Sequence, residues 1–67
     1  MQTTTWTVNG MTCQHCVRAV TEEVSAIDGV TGVEVDLASG AVTVTAAQPP
    51  TREQMAAAVD EAGYHLA

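Results

Sequence analysis

The stretch TWTVNGMTCQHCVRAV, residues 5–20, decides the fold because its hydrophobic period changes in the middle. Its first part alternates apolar residues with threonines, which predicts a half-buried strand over residues 4–9. Apolar residues then recur at helical spacing, which predicts a helix with Thr12 as its N-cap and an end at Asp28-Gly29. The stretch therefore predicts a strand, a short turn and a helix, with Cys13 in the loop before the helix and Cys16 in its first turn.

A β-hairpin is predicted in the middle of the chain. Alternating apolar residues from Val33 to Leu37 predict one strand, and Val42 with Val44 predicts the next. Ser39-Gly40 lies between them and is typical of a tight turn. We therefore expect the two strands to pair with each other.

The last third of the chain predicts a second helix and a short closing strand. Pro49-Pro50 ends the preceding strand, and Thr51 with Gln54 forms a capping-box pattern at the start of the helix. The predicted inner face of this helix consists of Met55, Val59 and Ala62. Gly63 fits the position just after the helix, and residues 64–67 are expected to form the strand.

The order of these elements, β-α-β-β-α-β, predicts the fold class. It is typical of a ferredoxin-like α+β sandwich, in which two helices cover one face of a four-stranded antiparallel sheet. A length of 67 residues accommodates one small domain, so residues 1–67 are expected to form a single domain. Such a domain has little room for an enclosed active site. Its chemistry is therefore expected at the surface, on a loop.

Charge and hydropathy exclude several classes of function. Eight acidic residues stand against two arginines, and the net charge is −6 at pH 7. The phosphates of nucleic acids and anionic membrane surfaces repel such a chain. The N-terminal residues lack the features of a secretory signal, and no apolar run is long enough to span a bilayer. The predicted location is therefore the cytoplasm, without membrane insertion.

The motif Cys13-Gln14-His15-Cys16 contains the only two cysteines of the chain. A helix N-terminus stabilises thiolates, and here it is expected to lower the pKa of both thiols. Two sulfurs cannot complete a four-sulfur zinc site within one chain. A two-thiolate site suits Cu(I), and Ag(I) or Hg(II) would bind similarly. Redox proteins and zinc sites also contain a bare C-x-x-C, so the motif alone leaves those readings open.

The residues Gly10 to Cys16 match Gly-Met-x-Cys-x-x-Cys, the signature of the heavy-metal-associated domain family. The chain resembles that family over residues 4–67. His15 inside the motif and the Gly63-Tyr64 pair make it most similar to the bacterial CopZ-type copper chaperones within the family. This combination of motif and element order is highly specific.

The resemblance implies a cytosolic copper chaperone, not an enzyme, that takes up Cu(I) on Cys13 and Cys16. It implies delivery by thiolate exchange to the metal-binding domains of a copper-exporting P-type ATPase. A copper-responsive repressor is a second candidate client. The apo protein is expected to be a monomer, and excess copper is expected to bridge two monomers. The resemblance also implies that Met11 packs beneath the metal loop and that Tyr64 lies next to it.

The roles of several residues near the motif can be interpreted in more than one way. Met11 has a thioether that could ligate copper, but methionine commonly fills gaps in a core, and packing is the preferred reading. His15 is expected at the surface as a weak third ligand, as a group that tunes the thiol pKa, or as a polar residue without a role, with tuning preferred over ligation. Tyr64 could be an ordinary core aromatic. Trp6 is expected in the core and His65 at the surface.

Two alternative functions remain at the level of sequence. The first is a dithiol–disulfide oxidoreductase with Cys13 as nucleophile, although such enzymes need a larger scaffold. The second is an N-terminal metal-binding domain cut from a copper or mercury transporter.

Overall fold

The computed structural model describes residues 1–12 and 14–67 of the chain. In chain order its elements are β1 (Gln2–Asn9), α1 (Gln14–Ser25), β2 (Val30–Asp36), β3 (Ala41–Ala46), α2 (Arg52–Glu61) and β4 (His65–Leu66). The strands form one sheet in the order β2-β3-β1-β4, and all neighbours pair antiparallel. The predicted ferredoxin-like α+β fold is confirmed.

The two faces of the sheet differ in polarity because side chains alternate along each strand. Trp6 of β1 lies opposite Val42 of β3 on the face towards the helices, and Thr5 lies opposite Thr43 on the other face. The indole N–H of Trp6 donates to the hydroxyl of Thr4 at 3.0 Å. The helices therefore cover an apolar face, while threonines line the open face.

A single cluster of buried side chains lies between the sheet and both helices, within the described residues. Its members are Val8, Val20, Val24, Val42, Val44, Met55, Ala58 and Val59. Trp6 packs against this cluster and is half-buried, which agrees with its predicted place in the core. Because the cluster contains valine and alanine around one methionine, the core is thin.

Helix α1 ends at Ser25, earlier than the predicted end at Asp28-Gly29. The N–H groups of Ala26 and Ile27 donate to carbonyls three residues back, so the chain tightens after Ser25 and leaves the helix. Ile27 still packs against the core cluster, which is why its spacing resembles that of a helical residue. The predicted cap at Thr12 falls at the junction with residue 13, which lies outside the described residues.

The predicted hairpin is present with shifted bounds. Strand β2 begins at Val30 and contains an irregularity before Gly32, whereas the sequence predicted a start near Val33. Leu37, predicted to end β2, lies in the turn that joins the two strands. That turn spans residues 37–40, and the N–H of Gly40 donates to the carbonyl of Asp36 at 2.8 Å.

Both predicted end signals of α2 are confirmed. The N–H of Gln54 donates to the Thr51 hydroxyl at 3.1 Å, and the Thr51 N–H donates to the Gln54 side chain at 2.9 Å. At the other end, the Tyr64 N–H donates to the carbonyl of Val59 and the Gly63 N–H to that of Asp60. These two bonds form a Schellman motif, which ends α2 and fixes where Tyr64 begins.

Replacing Thr51 with alanine is expected to lower the free energy of unfolding by about 1 kcal/mol, because the N–H of Gln54 loses the Thr51 hydroxyl that accepts its hydrogen bond. Thr51→Ser is the matched control, since it keeps the hydroxyl oxygen and should lose only a small part of this. Urea unfolding followed by circular dichroism measures both. Equal losses in the two variants would contradict the role of the cap.

Candidate metal centre

Cys16 lies in the first turn of α1, as the sequence predicted. It is only 5% exposed, and its sulfur accepts the backbone N–H of Thr12 at 3.5 Å. An N–H directed at sulfur and a helix N-terminus both favour the negatively charged thiolate. The local backbone is therefore suited to a metal-binding sulfur. The predicted position of Cys13 in the preceding loop lies outside the described residues.

Acidic residues are absent from the start of the helix that holds this sulfur. The first turn of α1 contains no acidic residue, whereas the first turn of α2 contains Glu53. All eight acidic residues of the chain follow Thr21 in sequence. The positive end of the α1 dipole is therefore not offset by a carboxylate from its own turn or from the loop before it.

The start of the motif contacts the other end of the chain. Gly10 has φ +98°, and a Cβ placed on it would lie 3.3 Å from Cδ1 of Tyr64. Tyr64 is half-buried and also packs against the core cluster. Its ring is held between the core and the Gly10 end of the loop. Tyr64 therefore lies beside the candidate site.

The remaining predicted site residues are placed as follows. Met11 is half-buried and packs against the core cluster, whereas His15 is exposed in the first turn of α1. His65 is exposed on β4, with its Nδ1 3.9 Å from the carboxylate of Asp60, and it stays a surface residue. The structure brings Met11, Cys16 and Tyr64 to the loop end of the core.

The described part of the chain shows no group of three or more His, Cys, Asp or Glu side chains placed to share a metal ion. Sequence reasoning missed the N–H that Thr12 directs at Cys16. This hydrogen bond did have a signal in the sequence: Thr12 precedes Cys16 by four residues at the start of a helix, where backbone N–H groups have no helical partner.

Gly10→Ala is expected to lower the free energy of unfolding by about 1–2 kcal/mol, because alanine is strained at the positive φ of this position. The added Cβ also forces the Tyr64 ring to move, which lowers the free energy of unfolding further. Gly29→Ala is the control: its φ is +87°, but its Cβ would meet nothing nearer than 3.9 Å. Urea unfolding measures stability, and the ring resonances of Tyr64, the only tyrosine, report its position. Unchanged Tyr64 resonances in Gly10→Ala would contradict the contact.

The fold and the position of Cys16 define a ferredoxin-like domain with a thiol at the entry to its first helix. The heavy-metal-associated domain model matches residues 5–65, and the chain belongs to that family. The described residues include no helix with the length and apolar character needed to cross a membrane.

Three known proteins show how similar the chain is to its relatives. Copper chaperone CopZ of Bacillus subtilis (strain 168) is 41% identical over 68 residues, which cover 100% of this chain and 99% of that protein. A solved structure of a CopZ metallochaperone is 34% identical and superimposes with a TM-score of 0.89, covering 98% of this chain and 100% of the other. Copper-transporting ATPase 1 of Rhizobium meliloti (strain 1021) is 37% identical over 57 residues, 85% of this chain but 7% of the ATPase.

Proposed function

We propose that this protein is a copper chaperone that binds one Cu(I) ion through Cys13 and Cys16. The observation that carries the proposal is the position of Cys16 in the first turn of α1, with the Thr12 N–H directed at its sulfur. The similarity to a copper chaperone over the full length of both chains supports copper as the cargo. Thiolates are soft ligands, and Cu(I) is a soft ion for which two of them are sufficient.

Two-coordinate binding explains transfer without release. A thiolate of the partner adds to the ion as a third ligand, and one of the first two sulfurs then leaves. The ion passes from protein to protein and is never free in solution. Tight binding and rapid transfer are therefore compatible. The protein acts as a carrier in this scheme and has no catalytic residue.

The proposed recipient is the metal-binding domain of a copper-exporting P-type ATPase. A stretch similar to this chain makes up 7% of a copper-transporting ATPase, which supports a partner with the same kind of domain. Exchange between two similar sites changes the free energy of the ion little, so it runs readily in either direction. A copper-responsive repressor is a second proposed client, and the cytoplasm is the proposed location.

Residues around the two sulfurs have supporting roles in this proposal. Met11 packs against the core and supports the loop instead of ligating the ion. Tyr64 shields the loop from the Gly10 side, and exposed His15 tunes the thiols from solvent. Residues 1–67 act as one domain that is monomeric without copper, and excess copper joins two monomers through bridging thiolates. Sedimentation across a copper titration tests that association.

An anaerobic Cu(I) titration against a chromophoric chelator tests the main proposal, with zinc titrated in parallel. We expect one Cu(I) per chain, held against the chelator, and much weaker zinc binding, because two sulfurs satisfy Cu(I) but leave tetrahedral zinc incomplete. Failure to compete with a moderate chelator would contradict the chaperone function. Clear acceleration of insulin reduction by dithiothreitol would instead favour the oxidoreductase.

A second experiment tests the recipient. The copper-loaded chain is mixed with the isolated metal-binding domain of a copper ATPase, and the two are separated through an affinity tag on the ATPase domain. Copper found on the ATPase domain, with none passing to a small chelator added at low concentration, agrees with direct exchange. Copper that reaches the chelator first contradicts it.

A further inference from the structure

A groove lies between the two helices on the surface opposite the sheet. Its volume is about 370 Å³, at the lower end of the range for ligand sites and large enough for a few side chains. One wall is formed by Gln54, Ala57, Ala58 and Glu61, which lie on one face of α2. The opposite wall comes from the end of α1 and the turn after it. Three of the lining residues are alanines, whose small side chains leave space between the helices that larger residues would fill.

The floor and the rim of this groove differ in chemistry. Ala26, Ile27, Ala57 and Ala58 make the lining largely apolar. Glu23, Asp28 and Glu61 also line the groove and form its acidic rim. In the part of the chain that the structure describes, the one ion pair joins His65 and Asp60, so none of these three carboxylates forms an ion pair there.

Neither arginine of the chain neutralises the negative charge of the three carboxylates at the groove. The guanidinium of Arg52 donates to the carbonyl of Ala67 at 3.1 Å, and Arg52 does not line the groove. Arg18 is exposed on α1 and does not line the groove. Three carboxylates that line one largely apolar groove without a cation produce a local negative potential, which attracts positive charge.

We infer that this groove is a docking site for a cationic amphipathic segment of a partner protein, with an apolar side chain on the alanine floor and lysine or arginine groups at the carboxylates. Charge complementarity selects this occupant. A second copy of the chain is disfavoured, because each copy has a net charge of −6 and no exposed basic cluster. The inference does not depend on copper binding.

The position of the groove separates docking from the cysteine motif. Helix α1 has 12 residues from Gln14 to Ser25, so at 1.5 Å per residue its last residue lies about 13 Å along the axis from Cys16. The α1 wall of the groove belongs to that end of the helix. A partner held there leaves the Cys16 end of the molecule accessible.

The probe is a labelled amidated peptide of twelve residues, with leucines at helical spacing flanked by lysines, and binding to the full apo chain is followed by fluorescence anisotropy. Glu23→Gln combined with Glu61→Gln removes two rim charges. Glu22→Gln combined with Glu53→Gln is the matched control, since it makes the same change in net charge on the same helices outside the groove. We expect the groove variant to weaken binding about fivefold and the control less than about twofold.

Two further measurements separate the groove from a general charge effect. Raising the ionic strength from about 0.01 M to about 0.15 M should weaken peptide binding, because the Debye length falls from about 30 Å to about 8 Å. Amide NMR shifts caused by the peptide should centre on Ala26, Ile27, Ala57 and Ala58. A peptide with serine in place of leucine should bind at least about fivefold more weakly, since it leaves the apolar floor uncovered.

Several results would overturn the inference. They are the absence of measurable binding, equal weakening in both double variants, equal binding of the serine peptide, or shifts centred on Thr12 and Cys16. All these measurements use the apo chain. A chain that fails to bind copper can therefore still bind the peptide, and the two proposals fail independently.

Discussion

Cys16→Ser is expected to abolish tight Cu(I) binding, with an affinity loss of more than about 100-fold. Loss of a group that only supports a metal ligand already costs roughly 10–100-fold, and this change removes a ligand itself. A serine hydroxyl is a hard donor that stays protonated at pH 7, so it does not replace a thiolate on a soft ion. Competition with a chromophoric chelator under anaerobic conditions measures the loss.

The burial of Cys16 makes a folding control necessary. Cys16 is 5% exposed, so circular dichroism and Trp6 fluorescence must first show that the variant is folded. Cys13→Ser should give the same loss of copper binding. His15→Ala is the matched control from the same helical turn, and because His15 is exposed and is not proposed as a ligand, we expect a loss within about tenfold. Tight binding that persists in both cysteine variants would show that the ion is held elsewhere.

Short-range patterns predicted most of the fold. Alternation along β1 and β3 placed Val8, Val42 and Val44 on the core face, and each is buried. The Thr51–Gln54 pair predicted the start of α2 to the residue, because a capping box is a contact between near neighbours in sequence. Signals of this kind need no knowledge of how distant segments pack.

The errors occurred where tertiary packing overrides a local pattern. Ile27 has helical spacing, yet it contacts the core from the turn after α1. Leu37 continues the alternation of β2, but the hairpin closes at Asp36, and Leu37 lies in the turn. Both Ile27 and Leu37 are partly buried, so both positions suit an apolar side chain although neither lies in a helix or strand. A hydrophobic period reports burial and does not by itself distinguish a helix or a strand from the turn that follows it.

The candidate site was predictable to different degrees. The cysteine pair and the helix start are explicit in the sequence, so the place of Cys16 could be foreseen. The Thr12 N–H at its sulfur depends on the path of the loop, which residue types do not specify. The approach of Tyr64 to Gly10 joins opposite ends of the chain. Only the resemblance to a family predicted it. The groove between the helices depends on their relative placement and had no sequence signal.

Met55→Ala is expected to cost about 2–5 kcal/mol of unfolding free energy, the largest loss of stability among the changes considered. Met55 is 0% exposed and is the largest of the fully buried side chains. Its neighbours in the cluster are six valines and one alanine, and such short, stiff side chains cannot move far enough to fill the cavity. A domain of 67 residues has a total stability of about 3–10 kcal/mol, so the loss takes a large share of it.

Urea unfolding followed through Trp6, the only tryptophan, measures this loss. Met55→Leu is the matched control, because it nearly conserves side-chain volume at the same position and should cost less than about 1.5 kcal/mol. Met11, in the loop before α1, packs against the same cluster. Molecules of Met55→Ala that are unfolded should therefore also lack the candidate metal site. A loss below about 1 kcal/mol would mean that the helices close over the cavity, and the thin core would then be more adaptable than its packing of valines indicates.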